Sequence, residues 1–233
     1  VRCATAVPAG GPPTLQVLLW RRALDPHLGR WSLPGGRLRP DEDVQTSVRR
    51  QLAEKVDVTR LTHVEQLAVF SAPDRVPGPR VVATAFLALV RSDADPAVPE
   101  DTAWHEVADL PRTAFDHQAI ILGARDRLRA KLSYTNAGFA LAPGEFTISA
   151  LRDLYSAALG YRISATNLQR VLSRRGLLTP TGRTAPPGRA GGRPAALFTF
   201  ARQDMEVTDP FAVLRPPPPA PARRRPARRT PAS

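Results

Sequence analysis

The sequence predicts an α/β fold: a sandwich over residues 1–115, followed by a small winged helix-turn-helix. Three observations lead there. Short β-branched or apolar runs dominate the first part, with one stretch of four-residue periodicity set among them. Two short cappable helices and a basic hairpin pattern follow in the second. The net charge of +12 is also divided unevenly. Residues 1–144 hold 18 Lys and Arg against 16 Asp and Glu, whereas residues 145–233 hold 15 arginines, no lysine and five acids. A nearly neutral part is joined to a cationic one, which points to a polyanionic partner for the second, nucleic acid before membrane.

In order, VRCATAV and LQVLLWRR are strand-like runs separated by AGGPP and predict a hairpin. In WSLPGGRL, Pro34, Gly35 and Gly36 break regular structure and open a tight loop. From Asp41 the period becomes helical, with Val44, Val48, Leu52 and Val56 predicted as one buried stripe. Val64 to Phe70 and Val81 to Val90 predict strands around SAPDRVPGPR, a Pro/Gly loop carrying Asp74, Arg75 and Arg80. TAWHEVADLP ends a strand at a turn. Asp116 is the predicted N-cap of a helix running to about Leu132, with Ile121, Ala124, Leu128 and Leu132 on one face. Residues 1–132 therefore form the first unit, its linking helix starting near residue 116.

The second unit spans residues 145–202. Thr147 can cap a helix whose apolar face is Leu151, Leu154, Tyr155 and Ala158, closed by Gly160 as a left-handed C-cap. Ser164 can cap a second helix from Ala165 to Arg175, closed by Gly176, with Ile163 and Leu168 spaced as a hydrophobic staple. LLTPTG and AALFTF, joined by a basic glycine-rich span, predict the wing. Residues 209–233, with RPPPPAPARRRPARRTPAS, hold too few large apolar side chains to pack and are predicted as a disordered basic tail.

Composition excludes several classes. The one cysteine, Cys3, allows no intramolecular disulfide and no cysteine zinc cluster. The longest apolar runs reach strand length only, short of a membrane span. No basic segment leads into an apolar run at the N-terminus, so the expected compartment is the cytoplasm.

The stretch GGRLRPDEDVQTSVRRQLAEKVDV resembles the Nudix motif, Gly-x5-Glu-x7-Arg-Glu-U-x-Glu-Glu-x-Gly-U with U aliphatic. Gly36, Glu42 and Arg50 fall on its Gly, first Glu and Arg, and Leu52 and Val58 on aliphatic positions. The resemblance implies a Nudix-type α/β/α sandwich in which Glu42 and Arg50 are an internal ion pair. It also implies three metal-holding glutamates on one helix face, but here those positions are Gln51, Glu54 and Lys55. Magnesium requires oxygen ligands, and the site charge falls from that of three carboxylates to zero. At ~4 Å and an effective dielectric near 20, each charge–charge interaction is worth about 4 kcal/mol, so one carboxylate does not offset an ammonium. Gln51 still offers a carbonyl oxygen, and Lys55 would lie about where a metal would, able to neutralise a diphosphate without activating water. The motif's next glycine is Asp57.

Up to about Phe200 the chain resembles one branch of that family, the Nudix-related transcriptional regulators of the NrtR type. The matching residues include PDRVPGPRVV, AFDHQAII, EFTISALRDLYSAALG, Asn167 with Arg170, and GRPAALF. The chain departs at Leu168, where the family often has an aromatic, and in its Pro/Arg-rich wing. The resemblance implies a repressor of NAD or pentose metabolism, acting as a homodimer on palindromic double-stranded operators and sensing ADP-ribose or a related nucleotide. Ligand-binding candidates are Gly35, Gly36, Arg50, Glu54, Lys55, Arg80 and His117. DNA-binding candidates are Asn167, Gln169, Arg170 and Arg174 on the second helix, the last three facing base edges, and Arg183, Arg189 and Arg193 on the wing, for phosphates or the minor groove. No catalytic or metal-binding residue and no cofactor are expected. The alternative is a hydrolase of nucleoside diphosphate derivatives with an accessory basic domain, and only in that case does magnesium enter.

Overall fold

The computed structural model describes residues 1–5, 12–94, 96–186 and 194–209. Its centre is the strand β2 (Pro13–Arg21), buried without a break from Leu15 to Leu19. Strand side chains alternate, so such a run needs cover on both faces. Leu15, Val17 and Leu19 join the main core, while Leu18 packs with Val56, Val58 and Val90 in a second cluster. β1 (Arg2–Thr5), β6 (Thr102–Glu106) and β3 (Trp31–Ser32) pair antiparallel with the first, middle and last residues of β2. β4 (His63–Phe70) and β5 (Ala83–Leu89) form a separate antiparallel hairpin with a register shift between Gln66 and Ala68.

The helix α1 (Val44–Val56) covers the Leu18 face. Asp43 caps it, its carboxylate accepting from Thr46 N at 2.7 Å. It ends in a left-handed turn at Asp57 (φ 57°), with Val58 N donating to Leu52 O at 3.1 Å. This turn explains the glycine of the motif, and Asp57 keeps the conformation at a modest steric cost. The predicted stripe needs correcting. Val56 is fully buried, but Val44 is 39% exposed and Val48 and Leu52 are half-buried. All three line an open cavity, Leu52 packing also against the Leu18 cluster, and the other buried positions of α1 are Ser47 and Gln51.

On the opposite face lies α2 (His117–Tyr134), burying Ile120, Ile121, Ala124, Leu128 and Leu132. Asp116 stands at its N-cap position, as the sequence predicts, but its side chain makes no capping bond. Its carboxylate is taken by Arg75, whose Nε and Nη2 donate to it at 2.9 and 2.7 Å. A buried 3-10 turn (Ala137–Ala140) leads to α3 (Ile148–Leu159). Here the sequence reading holds in detail. Thr147 Oγ1 accepts from Ala150 N at 3.1 Å, Gly160 ends the helix at φ 82°, and Leu151, Leu154, Tyr155 and Ala158 are buried. These residues share the main core with Leu15, Val17 and Leu19, because α3 packs on β2 and β1.

Ser164 caps α4 (Ala165–Arg174), accepting from Asn167 N at 3.3 Å, and Leu168 and Leu172 are its buried residues. β7 (Leu178–Thr184) and β8 (Ala196–Phe200) form the wing, and Phe146 pairs with Phe198 through both backbone bonds. The predicted contacts of Arg189 and Arg193 and the predicted tail beyond residue 209 lie outside the described residues. Among the described residues, no helix is long and apolar enough to cross a membrane.

Candidate ligand cavity and nucleic-acid face

A cavity of 810 Å³ opens between β2, the Gly-rich loop, α1, the loop 71–82, β5 and the start of α2. That is within the ordinary range for a small-molecule site. Arg22, Arg37, Lys55 and Arg75 line it, and among the described residues no Asp or Glu does. The remaining wall is largely apolar, so the charge pattern is one-signed: the cavity is built for an anion with apolar or aromatic parts.

Lys55 Nζ donates to the Gly35 carbonyl and stands 4.8 Å from the centroid of the Trp20 ring. Burial, then the nearby Arg22 and Arg50 charges, hold its pKa below the ordinary lysine value. An anion here would relieve that penalty. Gln51 is buried, and its amide occupies the space that a Cβ on Gly36 would take, so a side chain there would displace that amide. With its oxygen turned to Arg50, the same amide accepts from both guanidinium Nη atoms at 3.2 and 3.3 Å.

Arg50 and Glu42 form the expected internal pair, at 2.8 Å through Nε and 2.5 Å through Nη2. The Arg50 hydrogen bonds, and secondarily the Arg39 backbone N–H, pull the Glu42 pKa down to about 2. Glu54 is committed to Arg50 at 2.9 Å and Arg39 at 3.3 Å. The donor set of a metal-dependent Nudix site is therefore not met. One carboxylate faces two guanidinium groups, one position is an amide, and the third is an ammonium already bonded to a carbonyl. Among the described residues, no group of three or more His, Cys, Asp or Glu side chains is placed to hold a metal.

Of the predicted ligand-binding residues, the fold brings Gly35, Gly36, Lys55 and His117 to the cavity. Arg50, Glu54 and Arg80 do not line it. The first two are turned into the ion network at the outer face of α1, and Arg80 is exposed with Nη2 donating to Ser71 O at 3.4 Å. Sequence reasoning missed Trp20, Arg22, Arg75 and Phe115. Strand alternation could have found Arg22, which continues the Leu18 and Trp20 alternation just past the end of β2. Its guanidinium sits 4.7 Å over the Phe115 ring, and Phe115 holds a positive φ of 51°. His117 Nδ1 accepts from Leu33 N at 2.9 Å and lies 3.0 Å from Ser32 Oγ, so the ring is neutral there and positions the start of the Gly-rich loop.

On α4, Asn167, Gln169, Arg170 and Arg174 are exposed on the side away from Leu168 and Leu172. Asn167 Oδ1 accepts from Arg170 Nη2 at 2.8 Å, which orients that guanidinium. Arg183 on β7 is paired with Glu145, so a phosphate there would have to displace a carboxylate.

Comparison with known proteins gives two matching domain families. A NUDIX domain matches residues 5–122, and an NrtR DNA-binding winged helix domain matches residues 138–200. The ADPR responsive transcriptional repressor NtrR of Acinetobacter baylyi is 30% identical over 203 residues, covering 84% of this chain and 80% of that protein. The crystal structure of Shewanella oneidensis NrtR superposes with a TM-score of 0.70 at 33% identity, over 80% of this chain and 87% of that one. The same protein complexed with a 27mer DNA gives a TM-score of 0.68 at 33% identity, with the same coverage.

Proposed function

The chain belongs to the NrtR family of regulators, a NUDIX domain joined to an NrtR winged helix, and on that premise we propose that it is a DNA-binding transcriptional repressor that responds to ADP-ribose and does not hydrolyse it. The observation that carries the reading is the cavity lined by Arg22, Arg37, Lys55 and Arg75 without a carboxylate. A diphosphate bridging two sugars suits four cations and an apolar wall, and the Acinetobacter relative is named as ADPR responsive. The Lys55 ammonium takes the part a divalent cation plays in a hydrolase, neutralising the diphosphate. It cannot activate a water as a bound metal does, because it supplies no open coordination position.

The DNA partner is double-stranded and is read by α4 in the major groove. One helix of this length reads one half-site, so the functional species is a homodimer on a palindromic operator. The cytoplasm is the compartment where such a protein meets its operator, and NAD or pentose metabolism is the process that an ADP-ribose signal would report.

Titration calorimetry with ADP-ribose tests the reading, with and without EDTA. The expected result is binding that EDTA does not alter, weakened by about 1–3 kcal/mol in Lys55→Ala, as for a charge-assisted hydrogen bond. Unchanged affinity in that variant would return Lys55 to a purely structural role on Trp20. Turnover of ADP-ribose above about 0.1 per second with magnesium or manganese, close to ordinary enzyme rates, would restore the hydrolase reading.

A further inference from the structure

Both walls of the cavity are tied to the first turn of α2. From the loop 71–82, Arg75 reaches Asp116 with two parallel hydrogen bonds of 2.9 and 2.7 Å. Its side chain is 5% exposed, and it also lines the cavity. From the Gly-rich side, Leu33 N and Ser32 Oγ meet His117 Nδ1. The other end of α2 is tied to the DNA-binding part. Arg129 Nε donates to Ala158 O in α3 at 3.2 Å, and Arg175 Nη1, just past α4, donates to Ser133 O at 3.0 Å. A rigid helix of 18 residues, ~27 Å long, thus joins the cavity to α3 and the end of α4.

We propose that Arg75 is shared between the ligand and α2: it clamps Asp116 while the cavity holds no anion, turns to the ligand's phosphates when it does, and the released first turn of α2 carries the ligand state to α4. This rests on the ADP-ribose reading above. The edge of Arg75 committed to Asp116 is the one formed by Nε and Nη2, and a phosphate matches that edge as well as a carboxylate does, so a ligand phosphate that takes it competes with Asp116. Asp116 has a second arrangement available. It stands at the N-cap position of α2 with its capping bond unmade, and its freed carboxylate can accept from the N–H groups of the first turn. Two discrete arrangements of one carboxylate, biased by a ligand that binds only one of them, are what coupling between distant sites requires.

The test measures two affinities for each protein: ADP-ribose by calorimetry, and a duplex that the wild-type protein selects from a randomised pool. Wild type should bind ADP-ribose and shift its duplex affinity at saturation by a factor within the usual ~5–150-fold range. Asp116→Asn should bind ADP-ribose at least as tightly, since Arg75 no longer has to leave a carboxylate, while the duplex affinity moves less than about two-fold on saturation. Arg75→Gln should lose ten-fold or more in ADP-ribose affinity and lose the shift as well. A wild-type shift retained in Asp116→Asn overturns the proposal alone. Should that variant fail to fold, a wild-type shift in Arg75→Gln at saturating ligand does the same. A wild-type protein that binds no ADP-ribose, or binds it with no change in duplex affinity, overturns the functional reading and this proposal with it.

Discussion

His117 shows how one residue can set the geometry of the Gly-rich loop and also limit the pH range of the fold. Burial, outweighing the nearby Asp116 carboxylate, lowers its pKa to about 4 from an ordinary 6.5. The folded protein therefore keeps the imidazole neutral, with Nδ1 free to accept from Leu33 N. Between about pH 6.5 and 4 the unfolded chain binds the proton and the folded chain does not. Stability from this residue is fully present above about pH 6.5 and is lost as the pH falls toward 4, by up to about 3 kcal/mol. The urea midpoint should fall from pH 7 to pH 5, and fall less in His117→Gln, whose amide oxygen accepts the same N–H without titrating. His105, whose pKa burial also lowers, contributes to the residual slope. An equal drop in both proteins would place the acid sensitivity elsewhere.

At the scale of elements, α1 and α4 are both short helices with one face fixed and one face free for chemistry. α1 fixes itself through Val56, the Asp43 cap and the Glu42–Arg50 pair, leaving Val48, Leu52 and Lys55 to the cavity. α4 fixes itself through Leu168, Leu172 and the Ser164 cap, leaving Gln169, Arg170 and Arg174 to solvent. Arg170 differs from its neighbours because Asn167 orients it. If its guanidinium meets a base edge, Arg170→Ala should cost about 1–3 kcal/mol on the selected duplex and much less on a scrambled one. A base contact is lost only where the matching base was present, whereas a phosphate contact is lost on every sequence. Equal weakening on both duplexes would move the reading to Gln169, Arg174 or the wing.

Across the whole molecule the charge is divided by task. The cavity concentrates four cations inside a nearly neutral first part, while the second part holds 15 arginines against five acids. Deleting residues 216–233 removes Arg223, Arg224, Arg225, Arg228 and Arg229. If these meet phosphates, binding to selected and scrambled DNA should weaken together, with a salt slope shallower by up to about 4–5 log units per log unit of salt. The ratio of the two affinities should hardly move. A changed ratio, measured at two salt concentrations, would mean that these arginines read sequence.

Local chemistry was legible in the sequence wherever it closes within a few residues. The Thr147 and Ser164 caps, the Gly160 terminus and the buried face of α3 follow from short-range spacing, and the structure keeps each of them. The Glu42–Arg50 pair, which the family resemblance implied, is also kept, one loop and one helix carrying both partners. What the sequence left open depends on which distant surfaces meet. Val44, Val48 and Leu52 repeat like core residues, yet they border a cavity, because periodicity reports a shared face and not what lies opposite it. Asp116 stands where a cap belongs, but Arg75, 41 positions earlier, takes its carboxylate. Arg50 and Arg80 carry the charge an anionic ligand needs but, like Glu54, are turned elsewhere, while Arg22 and Arg75 arrive from a strand end and a loop. Capping bonds and helical period act over one turn of chain and can be read along it. A cavity is enclosed by five or six segments at once, and only tertiary packing decides which of their side chains it brings together.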